Sequence, residues 1–215
     1  MMNKPLIIVG ASGHAAVVAD TALQAGYSIT GFTDKNITAG TVVLDGGLVL
    51  GRDDILNQYP PSKADLAMGI GFMPGSSLRM DLIKKYAELG YEFPSIIHPC
   101  SIISPHATIG VGVQIMAGAI IQTCSVIGNN SIINSGAIVE HHSEVGADCH
   151  IATGAKLCGE VKIGQMCFIG AGSTVIQTIN IGDDSVIAAG SCVIKDLATN
   201  SKVAGVPAKS MERSA

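Results

Sequence analysis

Two groups of residues have the types and spacing for chemistry. The first is Glu140-His141-His142-Ser143-Glu144, the most polar hexad in an otherwise apolar, glycine-rich stretch. Histidine takes up and returns a proton near neutral pH. Gly159 lies eighteen residues after His141. If those two positions meet, an imidazole base stands beside a backbone N–H that no side chain covers. Acyl transfer requires that pairing of a base with an oxyanion donor. A solvated turn is the plainer reading of the same hexad. His150 is a separate candidate, nine residues beyond His141.

The second group is Gly10-Ala11-Ser12-Gly13-His14, between the apolar run Leu6–Val9 and a stretch of helical character. Backbone N–H groups at such a helix start hold phosphate well. The motif lacks the full G-x-G-x-x-G, so a tight turn explains it equally. Asp34 closes the next apolar run, where a nucleotide's ribose or base is often read. An ordinary strand-end cap is the alternative there.

The remaining histidines and the cysteines carry less. His98 precedes Pro99 and reads as structural, while His106 and His142 are 36 residues apart. Zinc needs converging ligands at about 2.0–2.3 Å, and no such set is expected within one chain. The six cysteines form no Cys-x-x-Cys pair, so a structural zinc site is not expected either. Cys149 and Cys167, eighteen apart, read as small, reduced packing residues. No Ser or Cys has a clear adjacent base, so no acyl-enzyme is expected.

The element that must position the first group is set by a repeat. Every sixth residue from Ile97 to Val193 is Ile, Val or Leu, seventeen positions without an insertion. Neither a helix nor a simple alternating strand requires one aliphatic every six. A hexapeptide repeat winds a parallel β-helix, three hexads to a triangular coil. The residues two before the aliphatic are often small, such as Ala107, Ala119, Ser125, Ser131 and Ala137, as crowded corners require. Coils stack about 4.8 Å apart. Positions i and i+18 then lie one above the other, and sequence spacing becomes contact. The segment Ser201–Lys209 reads as a cap on the end of the solenoid.

The first 95 residues follow a different pattern. Strands are expected at Leu6–Val9, Ser28–Thr33, Ala64–Gly71 and Tyr91–Ile97, with a short one at Leu48–Leu50 inside a glycine-rich loop over 35–50. Helices are expected at Gly13–Ala25 and Ser76–Glu88, with a helical turn at Asp53–Gln58. Leu78, Leu82, Ile83 and Tyr86 mark the apolar side of the second helix. Strands alternating with helices make a small Rossmann-like parallel α/β domain. The expected organisation is therefore a domain over 1–95 and a β-helix domain with its cap over 96–215.

Composition excludes several classes. Charged residues are 14% and hydrophobic ones 47%, which rules out disorder. A net charge of −4 leaves no footprint for nucleic acid. Every apolar run is broken well short of a membrane span. Gly10, Ser12, Gly13 and His14 interrupt the first run too early for a signal peptide. A cytoplasmic protein is expected.

The solenoid together with Gly205-Val206-Pro207-Ala208-Lys209 resembles the left-handed β-helix acyltransferases. With Gly10-Ala11-Ser12-Gly13-His14, Asp34 and Glu140-His141, the chain is similar to the sialic-acid O-acetyltransferase-like group. Within that group it is most similar to bacterial nucleotide-amino-sugar N-acetyltransferases of the bacillosamine-pathway type. The resemblance covers nearly the whole sequence. It implies a homotrimer, with acetyl-CoA as co-substrate lying between two subunits, and no metal. It implies that the N-terminal domain binds the nucleotide sugar and presents its amine to the thioester.

By that resemblance, Ser12, Gly13 and His14 hold the diphosphate region of the sugar nucleotide. Asp34 and Lys35 match the nucleotide-contacting strand end, and Gly71 the glycine beside the ligand. His141 corresponds to the general base and Gly159 to the backbone donor for the thioester oxygen. His150, Ala171 and Ala189 match acetyl-CoA contacts. Two positions depart from the pattern. His142 stands where an acidic residue directly follows the base, leaving Glu140, Glu144 or a neighbouring subunit's carboxylate to orient His141. Lys35 stands where a second acidic residue is common.

The expected reaction is acetyl transfer to the 4-amino group of UDP-4-amino-4,6-dideoxy-N-acetylglucosamine. The alternatives are sugar or sialic-acid O-acetylation by the same base, a zinc enzyme on the same solenoid, and a non-catalytic solenoid.

Overall fold

The computed structural model describes residues 4–211. The chain divides into two compact units, with the division between Pro99 and Cys100.

The N-terminal unit is built on β1 (Leu6–Val9), whose four residues are all buried. α1 (Gly13–Gln24) follows, then β2 (Ile29–Thr33), β3 (Val42–Leu44) and β4 (Gly47–Gly51). A 3-10 turn covers Asp53–Gln58, and β5 (Asp65–Met68) and α2 (Leu78–Glu88) complete the set. The sheet order is β3-β4-β2-β1-β5. β1 pairs in parallel with both β2 and β5. A strand buried on both faces reads as an unbroken apolar run, which is what Leu6-Ile7-Ile8-Val9 supplies.

Two parts of this unit differ from the sequence expectation. The glycine-rich stretch holds an antiparallel β3–β4 hairpin turned at Asp45-Gly46, both with positive φ (44° and 79°). Asp-Gly is the dipeptide such a two-residue turn favours. The expected strand Tyr91–Ile97 is only Ile96–Ile97. Pro94 has no N–H to give a ladder, and the approach to it carries a bond from Leu66 N–H to Glu92 O at 2.9 Å.

The C-terminal unit is a parallel β-helix of two-residue strands in three sheets. One face stacks Ile102–Ile103, Ile120–Ile121, Ile138–Val139, Lys156–Leu157, Thr174–Val175 and Cys192–Val193. The second stacks Thr108–Ile109 through Asn180–Ile181. The third includes Gln114–Ile115 through Val186–Ile187. Every pairing links i to i+18. From Ile115 to Val193 each repeat aliphatic is at most 4% exposed. Burying one such side chain contributes about 1.5–3 kcal/mol.

The corners are as regular as the core. Every sixth residue from Gly112 to Gly190 has positive φ. One corner is glycine throughout (Gly118, Gly136, Gly154, Gly172, Gly190), whereas another carries Cys124, His142, Glu160 and Thr178. At several corners the residue that follows is a serine or cysteine whose hydroxyl or thiol closes the turn, as at Ser125, Ser131, Ser143 and Cys149. Ser143 Oγ donates to Cys158 O at 3.0 Å and accepts from Val161 N–H at 3.2 Å. Beyond the last coil, Lys202–Ala204 adds to the third sheet and folds back on Lys209–Ser210. Ala208 N–H reaches Cys192 O at 2.8 Å, so the tail closes the end of the prism.

Candidate active site

In the N-terminal unit, three loops leave the carboxyl ends of β1, β2 and β5, on either side of the strand where the chain changes direction in the sheet. Open parallel sheets bind ligands at that place. Gly10 N–H bonds to Thr33 O at 2.7 Å and Gly69 N–H to Val9 O at 2.8 Å, which ties the three loops together. Gly10 is required there. Its φ is +100°, and a Cβ would lie 2.9 Å from Ile70 Cγ1. Gly69 was not singled out by its sequence context, yet a Cβ on it would lie 2.6 Å from Ile8 Cγ2.

A cavity of about 140 Å³ opens among Gly10, Thr33, Asp34, Lys35, Asp53 and Leu78. Asp34 organises its rim. One carboxylate oxygen accepts from Ala11 N–H at 3.1 Å, and the other from Asn36 and Ile37 N–H at 2.8 and 3.1 Å. Lys35 is exposed, and its carbonyl accepts from Arg52 Nε at 3.3 Å. Ser12 is the N-cap of α1 and Gly13 its first residue, and both are exposed. Outside the backbone of its own helix turn and its chain neighbours, no atom among the described residues lies within 4 Å of a Cβ built on Gly13. Gly71 packs against His14, and a Cβ on Gly71 would meet the ring at 3.5 Å. Ser12, Gly13, His14, Asp34, Lys35 and Gly71 thus gather at one end of the sheet.

Arg79 supports this end and was missed from sequence. It is 5% exposed, and its guanidinium donates to the carbonyls of Met68 (3.3 Å) and Ile70. The signal was its spacing: Arg79 precedes Ile83 by four and Tyr86 by seven, on the buried side of α2.

In the solenoid, Glu140, His141, His142 and Gly159 come together at the corner between the first and second faces. A Cβ on Gly159 would lie 2.5 Å from His141 Cε1 and 2.7 Å from Nε2. The ring thus occupies the space that any other residue at 159 would fill. Among the described residues the Gly159 N–H takes no hydrogen-bond partner. His141 Nδ1 lies 3.2 Å from His142 Nδ1, the two rings meeting edge to face at 80°. Glu140 Oε2 accepts from the His141 backbone N–H at 3.3 Å, and Glu144 pairs with Lys162 at 3.0 Å. Neither carboxylate has a bond to the His141 imidazole.

The other sequence candidates lie elsewhere on the prism. His150 is on the third face, where Nε2 lies 3.1 Å from Asn134 Nδ2 and the ring packs edge to face on Phe168. Ala171 and Ala189 are exposed beside the glycine corner and joined by the bond from Gly190 N–H to Ala171 O at 2.8 Å. They are one corner away from the His142 column. One chain therefore brings His141 to Gly159 but not to Ala171 and Ala189.

The thiols are placed for packing. Cys149 Sγ donates to Gly164 O at 3.0 Å, in the manner of the corner serines. Hydrogen bonding with Cys167, together with burial, holds the Cys149 thiol well above the usual range. All six cysteines are free thiols. Among the described residues no three His, Cys, Asp or Glu converge as the ligands of a metal would, and no helix is long and apolar enough to cross a membrane.

Comparison with known proteins finds relatives of both units. Residues 5–85 match the PglD N-terminal domain, and residues 160–195 the hexapeptide repeat of succinyl-transferase. A histidine-to-alanine variant of GDP-perosamine N-acetyltransferase from Caulobacter crescentus, solved with CoA and GDP-perosamine, is 33% identical. It superposes with a TM-score of 0.89 over 97% of each chain. The acetyltransferase domain of PglB from Neisseria gonorrhoeae FA1090, in complex with acetyl coenzyme A, is 34% identical with a TM-score of 0.89. That match covers 97% of this chain and all of the other (100%). WeeI from Acinetobacter baumannii AYE, at 21% identity and a TM-score of 0.65, shares the fold. No curated protein matches the sequence.

Proposed function

The chain belongs to the left-handed β-helix acyltransferases of the bacillosamine-pathway type, the nucleotide-amino-sugar N-acetyltransferases, and from that premise we propose that it acetylates the 4-amino group of a nucleotide-linked 4-amino-4,6-dideoxy sugar. UDP-4-amino-4,6-dideoxy-N-acetylglucosamine is the specific acceptor. The observation that carries this reading is the seating of the His141 ring against Gly159.

In this mechanism His141 is the general base. The neutral amine attacks the thioester carbonyl carbon of acetyl-CoA, and His141 Nε2 takes the proton that the nitrogen sheds. The carbonyl oxygen becomes an oxyanion facing the Gly159 N–H. As the carbonyl re-forms, the C–S bond breaks and CoA leaves as the thiolate, to which His141 returns the proton. General base catalysis supplies about 10²–10⁴-fold and one oxyanion donor about 10²–10³-fold. Transfer is direct, without an acyl-enzyme.

Substrate binding follows the two units. The Ser12–His14 turn holds the diphosphate, Asp34 and Lys35 meet the nucleoside, and Gly71 leaves room beside His14. His150, Ala171 and Ala189 hold acetyl-CoA, the small alanines leaving backbone exposed to it. Because His141 and the alanine column occupy different corners, acetyl-CoA bound along one copy meets His141 of another. A homotrimer satisfies this by repeating the same contact three times. The acetyl-CoA requirement assigns the reaction to the cytoplasm.

The test is free thiol release from acetyl-CoA against UDP-, GDP- and dTDP-linked 4-amino sugars and their 4-hydroxy counterparts. Turnover with the UDP-linked amine establishes the reading. A preference for the GDP-linked amine, the form bound by the Caulobacter enzyme, would replace the nucleotide. Turnover of the hydroxyl sugars alone would replace N- by O-acetylation.

A further inference from the structure

We propose that His142 is the positioning residue for His141, accepting the proton-bearing edge of its imidazole and so fixing the tautomer in which Nε2 is free to act as base. The proposal rests on the reading of His141 as the general base.

The argument is one of proton placement. A neutral imidazole carries one proton, on one nitrogen. Of the two His141 ring nitrogens, Nε2 lies nearer the Gly159 Cβ position (2.7 Å, against 3.2 Å for Nδ1), and Nδ1 is 3.2 Å from His142 Nδ1. For Nε2 to accept a proton from the substrate, the ring's own proton must sit on Nδ1. That N–H then donates, and the acceptor within reach is His142 Nδ1. His142 must in turn carry its proton on Nε2. A second group that fixes the tautomer and angle of a base is the usual requirement of such sites.

Two of the nearby carboxylates are otherwise engaged: Glu140 accepts from the His141 backbone N–H, and Glu144 is paired with Lys162. The backbone also fixes where the His142 ring goes. His142 has φ 57°, and its N–H bonds to Thr123 O at 3.1 Å. The ring is thus held where its Nδ1 can accept from His141 Nδ1.

The solenoid itself supplies the variants that test this without disturbing the corner. Glycine occupies corners of the same conformation at Gly136 and Gly154 (φ 66° each), asparagine at Asn130 (59°) and aspartate at Asp148 (56°). His142→Gly removes the acceptor and keeps the backbone. His142→Asn and His142→Asp restore an acceptor oxygen on a residue that tolerates positive φ. The expected result is that His142→Gly lowers kcat by about tenfold or more, with KM for both substrates little changed. His142→Asn and His142→Asp should recover most of the loss. Nitrogen-15 NMR of the labelled protein should show the His141 proton on Nδ1 and the His142 proton on Nε2.

A glycine variant with the original kcat overturns the proposal. So does an asparagine variant no better than glycine at equal melting temperature, or a His141 proton found on Nε2. His141→Asn is run in parallel. If it keeps kcat, the base reading fails by itself, whereas loss there with no loss in His142→Gly removes only the positioning role.

Discussion

The imidazole of His141 fills the space above the Gly159 Cα, where a Cβ would stand 2.5 Å from Cε1 and 2.7 Å from Nε2. Eighteen residues separate them in sequence, and one coil of the β-helix brings them into contact. The glycine is there for room: unlike the corner glycines, it does not have a positive φ.

Gly159→Ala should therefore displace the ring rather than strain the backbone. Misplacing a base by an ångström costs up to ~10²-fold in rate, and the overpacking costs about 1–3 kcal/mol of stability. Steady-state kinetics and a denaturant titration read the two effects separately. Unchanged kcat would mean that the ring need not sit where it does.

Asp34→Ala should loosen the cavity rim. Three backbone N–H groups, of Ala11, Asn36 and Ile37, lose their acceptor, at a cost of about 1–2 kcal/mol, comparable with losing a helix cap. KM for the nucleotide sugar should rise while kcat at saturation stays near that of the original protein. A fall in kcat with KM unchanged would place Asp34 in the chemistry instead.

How much of this was visible in the sequence depends on how each feature is encoded. The solenoid was legible because one aliphatic in six has no other explanation. The His141–Gly159 contact was legible because three repeats make one coil. The Asp34 network was not, since its partners are backbone N–H groups that no side-chain pattern reports. Arg79 was hidden by the habit of reading a helical arginine as solvated, although it lies on the same side as the buried Tyr86. The β3–β4 hairpin was masked by surrounding glycines, despite the Asp45-Gly46 turn.

Arg79→Met keeps much of the buried volume and removes the donors to Met68 and Ile70. Losing these buried hydrogen bonds should cost about 2 kcal/mol or more, read as a lower denaturant midpoint at constant slope. The loop carrying Gly71 should move with them and raise KM for the sugar nucleotide. No change in midpoint would show that water replaces the guanidinium at no cost.

Cys149→Ser and Cys167→Ser should keep full kcat. Serine already occupies the matching corner positions at Ser131, Ser143 and Ser185, with its hydroxyl on a carbonyl of the adjoining turn. In the unaltered protein both thiols, at most 1% exposed, should resist alkylation until the chain unfolds. Loss of turnover in either serine variant would bring a thiol into the mechanism.

The decisive measurement compares the original protein with His141→Asn in acetyl transfer to the 4-amino sugar nucleotide, with acetyl-CoA and sugar affinities measured by calorimetry on both. The expected result is a kcat lower by about 10²–10⁴-fold with both affinities retained. A variant that turns over at the original rate would show that the proton is taken elsewhere and that the His141–Gly159 pair is only a feature of the solenoid corner.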